Sequence, residues 1–504
     1  MNRALKRLSI AVLVMFLLLL VNVNYLQGVE PASLATDPGN SRAFYAQFQY
    51  QRGSIITADN VTIAASKPSP AGDPIKYQRY YPGGAVYAPV TGYASIYATN
   101  TSGASGIELA ENALLNGDDS SQTLRNFIDL ITGKPRRGAD VYVTINSAAQ
   151  QAAYNGLVKV LGDTGRVGAA VAIDPSTGAI LAMASYPSYN PDLLATHDGA
   201  TLNANDKTLL DAEGSPLLNH AIDYTNAPGS TFKIVTSSAF FNSSGANTPS
   251  TSVSSPTTLA LPQTTNVLIN NDGEACGTGD GQATILYAFA QSCDTTFGKL
   301  GITLGANALN SVAEAFGMNS SSLAIPMPVT ASNYVLPPSD ATTAYSAIGQ
   351  YSDTVTALQE AMFAAAIANH GELMKPYLVQ QVIASDLSTL DSASPSVLSQ
   401  AVSPTVAGYV SQMMQAVTQS SEGTASMYNT AATGGVCIAG KTGTAQTGTS
   451  NSGPDDAVFT SFAPCANPTI AVGVIIQGGG YGATAAAPVA VDVIQAYLKA
   501  LGTK

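Results

Sequence analysis

The strongest constraint on this chain lies at its N-terminus, where Arg3, Lys6 and Arg7 precede an uncharged stretch, Leu8 to Val29, that is strongly apolar as far as Val23. At 1.5 Å per residue a helix over this stretch is about 33 Å long, enough to cross the hydrocarbon core of a bilayer. A positive flank stays cytoplasmic, so everything after Val29 is expected outside the membrane. A cleaved signal peptide is the alternative, with Ser33 and Ala35 as a small-x-small site. The length of the apolar run, and the distance of that site beyond it, favour a retained single-pass anchor.

Export sets the redox environment. All four cysteines, Cys276, Cys293, Cys437 and Cys465, fall on the exported side. An even number in an oxidising compartment, at spacings unlike those of a metal site, reads as two disulfides. Three pairings are open; the local one, Cys276 with Cys293 and Cys437 with Cys465, closes the shortest loops, and buried free thiols are the alternative.

Charge is scarce. Only 11% of the 504 residues are charged, against roughly 25% in ordinary soluble domains. The net charge of -12 and the absence of a basic run beyond the extreme N-terminus exclude a nucleic-acid-binding footprint. The length allows about two or three domains. Residues 1–140 carry 12 Lys and Arg against 10 Asp and Glu, whereas residues 141–504 carry nine against 23. Each lysine in the second part is therefore worth inspecting.

Patterning divides the chain further. Tyr45 to Asp59, a Pro, Gly and Tyr-rich stretch from Pro68 to Gly92, and a short amphipathic pattern from Gly106 to Gly117 suggest a small, extended α+β module. Near Gly138 the character changes: DVYVTIN alternates as a strand, and SAAQQAAYNGLVKVL has helical spacing with Ser147 as its N-cap. Gly168 to Pro187 reads as two strands joined by an Asp-Pro-Ser-Thr-Gly turn. Thr356 to Gly371 reads as an Ala-rich helix ended by glycine, Thr469 to Gln477 as an apolar strand, and VAVDVIQAYLKAL as a closing helix. This order predicts an antiparallel sheet with helices on both faces, an α+β layout.

Three short motifs could carry chemistry. Lys233 alone among the 12 lysines has a serine three residues before it, in PGSTFK from Pro228. Pro-Gly followed by Ser-Thr and an apolar run is a helix-start signal, and positions i and i+3 share a face, so the amine can reach the Ser230 hydroxyl. A desolvated lysine can take the proton of a serine nucleophile, and a helix N-terminus offers donors to an oxyanion. The second motif is Lys441-Thr442-Gly443-Thr444, whose small residues suggest a strand that a ligand backbone can approach. There the lysine offers a cation and the threonines hydroxyls to an anionic substrate end. The third, Ser292-Cys293-Asp294, lies between them. Singly, each is commonest as a solvated surface turn, but the ordered set is that of penicillin-binding proteins and class A β-lactamases. His197, His220 and His370 are scattered and complete no Ser-His-Asp arrangement, and the motifs leave no place for a metal or cofactor.

With these motifs the chain resembles the class B penicillin-binding proteins, of the short actinobacterial penicillin-binding protein A type. APGSTFK (Ala227 to Lys233), KTGTAQ (Lys441 to Gln446), VAIDPSTGAILAMASYPSYNP (Val171 to Pro191), AIANHGELMKPYLV (Ala366 to Val379) and RGSI (Arg52 to Ile55) are similar to blocks of that family. The resemblance implies Ser230 as acylated nucleophile and Lys233 as its general base. It implies Ser292 as proton relay to the leaving amine, Lys441 as its orienting group, Thr442, Gly443 and Thr444 as the substrate-binding strand, and the backbone N–H groups of Ser230 and Thr444 as oxyanion hole. It further implies a monofunctional D,D-transpeptidase acting on D-Ala-D-Ala stem peptides, inhibited by β-lactams and dependent on a multi-pass membrane glycan polymerase, since the segment before Gly138 is too short for a glycosyltransferase domain. The expected division is a cytoplasmic tail and anchor (1–29), a membrane-proximal pedestal or dimerisation domain (30–140) and a transpeptidase domain (141–504).

One departure stands out. The family's middle motif ends in Asn, and here it ends in Asp294, which accepts but does not donate when ionised. Beside Lys233 it would favour the charged lysine and slow acylation, unless it is itself held protonated. Cys293 in the same motif would tie this loop to Cys276. A carboxypeptidase or β-lactamase-like hydrolase on the same scaffold, and a catalytically weak β-lactam sensor, are the alternative readings.

Overall fold

The computed structural model describes residues 3–28, 48–96, 104–122, 131–132, 135–162, 164–270, 273, 275–277, 280–446 and 453–502. Ser33 and Ala35 lie outside the described residues. The N-terminal segment forms one helix, Arg3–Gly28, whose span Leu5–Tyr25 is long and apolar enough to cross a membrane and is not buried by the other described residues.

A five-stranded antiparallel sheet organises the second part, in the order Ala439–Ala445, Asp456–Ala463, Ile470–Ile476, Gly168–Ile173, Ile180–Tyr186. The two strands expected between Gly168 and Pro187 form its hairpin. The central strands are buried on both sides, which is why they read as unbroken apolar runs rather than alternating ones. One face is covered by helix Ala357–Ala368, buried at every position. The other is covered by helices Gly482–Ala500 and Ser147–Leu161, which also pack on each other. The α+β expectation is met. The cap of the helix that begins at Ser147 differs from expectation: Asn146 accepts the Ala149 N–H, while the Ser147 hydroxyl turns to Asp59. Asn outcompetes Ser here because Asn146, not Ser147, has the extended backbone an N-cap requires.

A second sheet of six strands draws on both parts of the chain: Thr389–Ser392, Val379–Ile383, Asp140–Val143, Ile55–Ile56, Thr62–Pro68 and Tyr77–Tyr80. The point at residue 140 therefore falls within a sheet, with Asp140–Val143 parallel to Ile55–Ile56 and antiparallel to Val379–Ile383. The amphipathic pattern from Gly106 to Gly117 forms two short helices, Gly106–Ala110 and Asn112–Asn116.

The first of these helices delivers Glu108 to the heart of the module. One carboxylate oxygen pairs with Arg52 Nε at 2.5 Å and the other with Arg79 Nε at 2.6 Å, all three side chains being buried. Arg52 also donates to Asn112 at 2.8 Å and to the Glu108 carbonyl at 2.6 Å, and Arg79 to the Gly53 carbonyl at 2.7 Å. Burial pushes the Glu108 carboxyl up, but the two guanidinium charges outweigh it and hold it below its usual value. Removing one member leaves buried charge uncompensated. Glu108→Ala is expected to destabilise the protein by about 3–5 kcal/mol in chemical denaturation, more than a surface ion pair contributes. A group held below its unfolded pKa stabilises above that value and loses this as pH falls through the folded pKa, so the difference between wild type and variant should shrink in acid.

Candidate active site

A cleft of about 660 Å³ opens beside the Ala439–Ala445 edge of the catalytic sheet, lined among others by Ser230, Ser292, Asp294, Thr442 and Thr444. The nucleophile turn enters as one turn of 3-10 helix, Gly229–Phe232, and continues as helix Lys233–Ser243. The expected helix start is thus present, and the i to i+3 spacing brings Lys233 Nζ to 2.9 Å from Ser230 Oγ. Two glycines let the turn reach the edge strand. Gly229 has φ +56°, and a Cβ there would lie 2.8 Å from the Thr444 carbonyl; a Cβ on Gly443 would lie 2.8 Å from the Pro228 carbonyl. Any larger residue at either position would force apart the two elements that frame the cleft.

Ser292 occupies the left-handed region at φ +61°, just before helix Asp294–Leu304. This unusual conformation presents both its hydroxyl and its carbonyl to the lysines. Lys233 Nζ lies 3.1 Å from Ser292 Oγ and 2.8 Å from Ser292 O. Lys441 Nζ donates to Ser292 Oγ at 2.8 Å and to the Thr442 carbonyl at 2.9 Å. The three motifs, scattered over more than 200 residues, thus converge on one hydroxyl shared by two buried amines. Phe297 and Phe289 lie beneath Lys233 and Lys441 at 5.4 and 5.5 Å from the ring centres, ammonium-to-ring contacts that partly replace lost hydration.

Asp294 pairs with Lys233 at 2.6 Å, the proximity expected from its place in the motif. As expected, Asp294 favours the charged amine, but burial outweighs its charge and hydrogen bond and lowers the Lys233 pKa. Burial, with the neighbouring charge of Lys233, holds Lys441 well below its ordinary value, again opposed by Asp294. Taking an amine out of water penalises its charged form more than one partly exposed carboxylate restores.

Other contacts had no sequence signal. Thr424 Oγ1 lies 2.7 Å from Thr442 Oγ1, and Gln350 Nε2 donates to the Thr444 carbonyl at 3.1 Å. Both come from segments without a motif and reach the edge strand only by folding. Cys276 and Cys293 lie at disulfide distance, with Cα atoms 6.0 Å apart, as do Cys437 and Cys465 at 5.3 Å. The first pair anchors the Ser292 loop and the second ties the residues flanking the edge hairpin. The histidines stand elsewhere: His197 pairs with Asp73 at 2.7 Å, and His220 Nε2 contacts the Gly214 carbonyl at 2.8 Å. No cluster of three or more potential metal ligands occurs among the described residues.

A serine held by a buried lysine at the start of a helix, opposite a Lys-Thr-Gly edge strand, defines the serine acyl-transfer fold of penicillin-recognising enzymes. Residues 168–495 match the penicillin-binding protein transpeptidase domain, and residues 52–141 match the penicillin-binding protein A dimerisation domain. The chain belongs to the class B penicillin-binding proteins, of the penicillin-binding protein A type. It is 39% identical over 505 residues to the peptidoglycan D,D-transpeptidase PbpA of Mycolicibacterium smegmatis, covering 99% of each chain, and 37% identical over 506 residues, with the same coverage, to that of Mycobacterium tuberculosis. The solved M. tuberculosis penicillin-binding protein A, in its ceftriaxone acyl-enzyme complex, superposes with a TM-score of 0.84 at 36% identity, over 90% of this chain and all of that one. A D,D-transpeptidase domain from Eggerthella lenta superposes with a TM-score of 0.73 at 33% identity, over 90% of this chain and 99% of that one.

Because Asp294 opposes the effect of burial on both lysines, Asp294→Asn is expected to lower both amine pKa values further. Lysine side-chain NMR titration of the wild type and the variant checks this, and unchanged or raised midpoints would contradict the assignment of Asp294 as their shared counter-charge.

Proposed function

We propose that this protein is a membrane-anchored peptidoglycan D,D-transpeptidase that cross-links stem peptides through an acyl-enzyme on Ser230. The observation that carries the reading is the 2.9 Å contact between Ser230 Oγ and the fully buried Lys233 amine, inside a network that also holds Ser292 and Lys441. Desolvation lowers the amine's pKa, favouring the neutral form that a general base needs. Lys233 takes the Ser230 proton as Oγ attacks the carbonyl carbon of the penultimate D-Ala. The backbone N–H groups of Ser230 and Thr444 hold the resulting oxyanion. Collapse breaks the C–N bond, and Ser292, oriented by Lys441, passes a proton to the departing D-Ala amine. The amine of a second stem then attacks the ester, the proton path runs in reverse, and Ser230 is regenerated.

Thr442 and Thr444 hold the substrate carboxylate, with Gly443 allowing the peptide to lie along the strand. Among the described residues the cleft lining includes Asp294 and Asp455 and no Lys or Arg, so the anionic end is met by hydroxyls backed by the buried Lys441. The same constellation accepts β-lactams, whose strained amide takes the place of the scissile bond. By family analogy the N-terminus lies inside and the catalytic domain outside, residues 30–140 form a non-catalytic pedestal or dimerisation region with the transpeptidase in 141–504, and a multi-pass membrane glycan polymerase supplies the strands.

Incubation with benzylpenicillin followed by intact-mass spectrometry is expected to give one persistent adduct, on Ser230, that is absent in Ser230→Ala. Rapid turnover would favour the hydrolase reading instead, and no adduct the sensor reading. Asp294→Asn is expected to raise the acylation rate at pH 7, by up to about tenfold for each unit that the Lys233 pKa falls toward 7, less what the weaker base loses in proton transfer. An unchanged rate across pH would remove Asp294 from the base's environment.

A further inference from the structure

Behind the nucleophile turn, on the side away from the cleft, a second buried acid is unused by this mechanism. Glu360 sits in the first turn of helix Ala357–Ala368 and is fully buried. Its Oε1 lies 2.8 Å from Thr231 Oγ1, in the residue next to the nucleophile, and its Oε2 has no hydrogen-bond partner among the described residues. The same Thr231 hydroxyl lies 2.8 Å from the Pro228 carbonyl oxygen.

We infer that Glu360 is a positioning residue for the nucleophile turn, a carboxylic acid whose proton completes a one-way hydrogen-bond chain from Glu360 through Thr231 to the carbonyl of Pro228. The inference rests on Ser230 being the acylated nucleophile. Its basis is a count of protons. A threonine hydroxyl carries one hydrogen, and a backbone carbonyl carries none. If the hydroxyl donates to an ionised Glu360, no hydrogen lies in its 2.8 Å contact with the Pro228 oxygen and a buried carboxylate is left with one bare anionic oxygen, a costly arrangement. If Glu360 carries the proton, it donates to Thr231, Thr231 donates to Pro228, and both 2.8 Å contacts are satisfied. Burial pushes the Glu360 carboxyl up to about 8, although the Thr231 bond opposes this.

The elements around Glu360 supply no counter-charge. Strands Gly168–Ile173 and Ile470–Ile476 carry no ionisable residue. Strand Asp456–Ala463 carries only Asp456, which is held by Asn226 at 2.7 Å and the Gly478 N–H at 2.8 Å. Strand Glu372–Met374 carries only Glu372, helix Pro404–Gln419 only Tyr409, and the nucleophile turn none before Lys233. Lys233 is itself engaged by Ser230, Ser292 and Asp294.

The Pro228 carbonyl sits on the seam where the turn meets Gly443 of the edge strand. Ionisation of Glu360 turns the Thr231 hydroxyl around and leaves that carbonyl only the backbone N–H of the 3-10 turn, loosening the turn that aims Ser230. Acylation therefore falls as pH rises through the Glu360 pKa.

The test measures the acylation rate of the full-length protein in detergent with a fluorescent penicillin from pH 6.5 to 9.5, with circular dichroism at each pH to confirm the fold. The wild-type rate is expected to bend downward above about pH 8, losing about thirtyfold by pH 9.5 from a single deprotonation. In Glu360→Gln the amide donates at every pH, so the downward limb disappears. Taking the ratio of variant to wild type cancels the titration of Lys233. Thr231→Val is expected to acylate more slowly at all pH values and likewise to lack the limb. A wild-type profile without the limb, or a limb retained in Glu360→Gln, would overturn the inference. If Glu360→Gln does not fold, a limb retained in Thr231→Val would overturn it equally. No acylation of folded wild type at any pH would instead count against the acyl-transfer function itself, which separates the two failures.

Discussion

Removal of two lysine ammonium groups from water is the constraint on which the catalytic half depends. Lys233 and Lys441 are both fully buried, a placement lysine almost never adopts without partners. The protein meets this with one shared hydroxyl, two backbone carbonyls, one carboxylate and two aromatic faces. The partners come from the Ser292 loop, helices Ile285–Ala290 and Asp294–Leu304, and the edge strand, so the network holds only when the helix Lys233–Ser243, the Ser292 loop and the Ala439–Ala445 strand are all in register. Burial then lowers both amines, and Asp294 moderates the effect. The chemistry and the docking of three elements are one event.

That docking needs close backbone approach, supplied by Gly229 and Gly443 at the seam. Behind the seam the support is rigid: a doubly covered sheet with helix Ala357–Ala368 against its central strands. Glu360 on that helix and Thr231 on the turn join the rigid layer to the reactive one. At the other end of the molecule a different solution to buried charge appears, with Glu108 between Arg52 and Arg79. That module lies nearer the anchor in sequence, and its second sheet borrows strands from residues 379–392. Residues 55–80 and 379–392 are thereby stitched into one sheet by backbone hydrogen bonds through Asp140–Val143.

The low charge of the chain has a counterpart in the cleft. With nine Lys and Arg against 23 Asp and Glu after residue 140, long-range attraction cannot hold an anionic wall polymer. The cleft is lined by hydroxyls, amides and apolar side chains such as Val267, Ile269 and Tyr481. The two buried lysine amines reach it only at contact range, through Ser292 and the edge strand. Recognition is thus a matter of short hydrogen bonds in a partly dry site, where they are strongest.

Much of this was legible in the sequence, because the signals are local. The hairpin between Gly168 and Pro187, the apolar strand near Thr469, the helix ended at Gly371 and the Ser230–Lys233 pair each follow from spacing within a few residues. One local reading failed, at the helix cap, where two adjacent capping residues compete and backbone conformation selects Asn146 over Ser147. What composition and spacing determined was a membrane-length helix, an α+β layout and three motifs in order. Only the tertiary structure decided that both lysines share Ser292, that burial outweighs Asp294, and that Thr424, Gln350 and Glu360 stand against the active strand and turn. The reason is physical: a pKa, a shared hydrogen bond and a proton count depend on what surrounds a group in three dimensions, and those surroundings come from residues tens to hundreds of positions away.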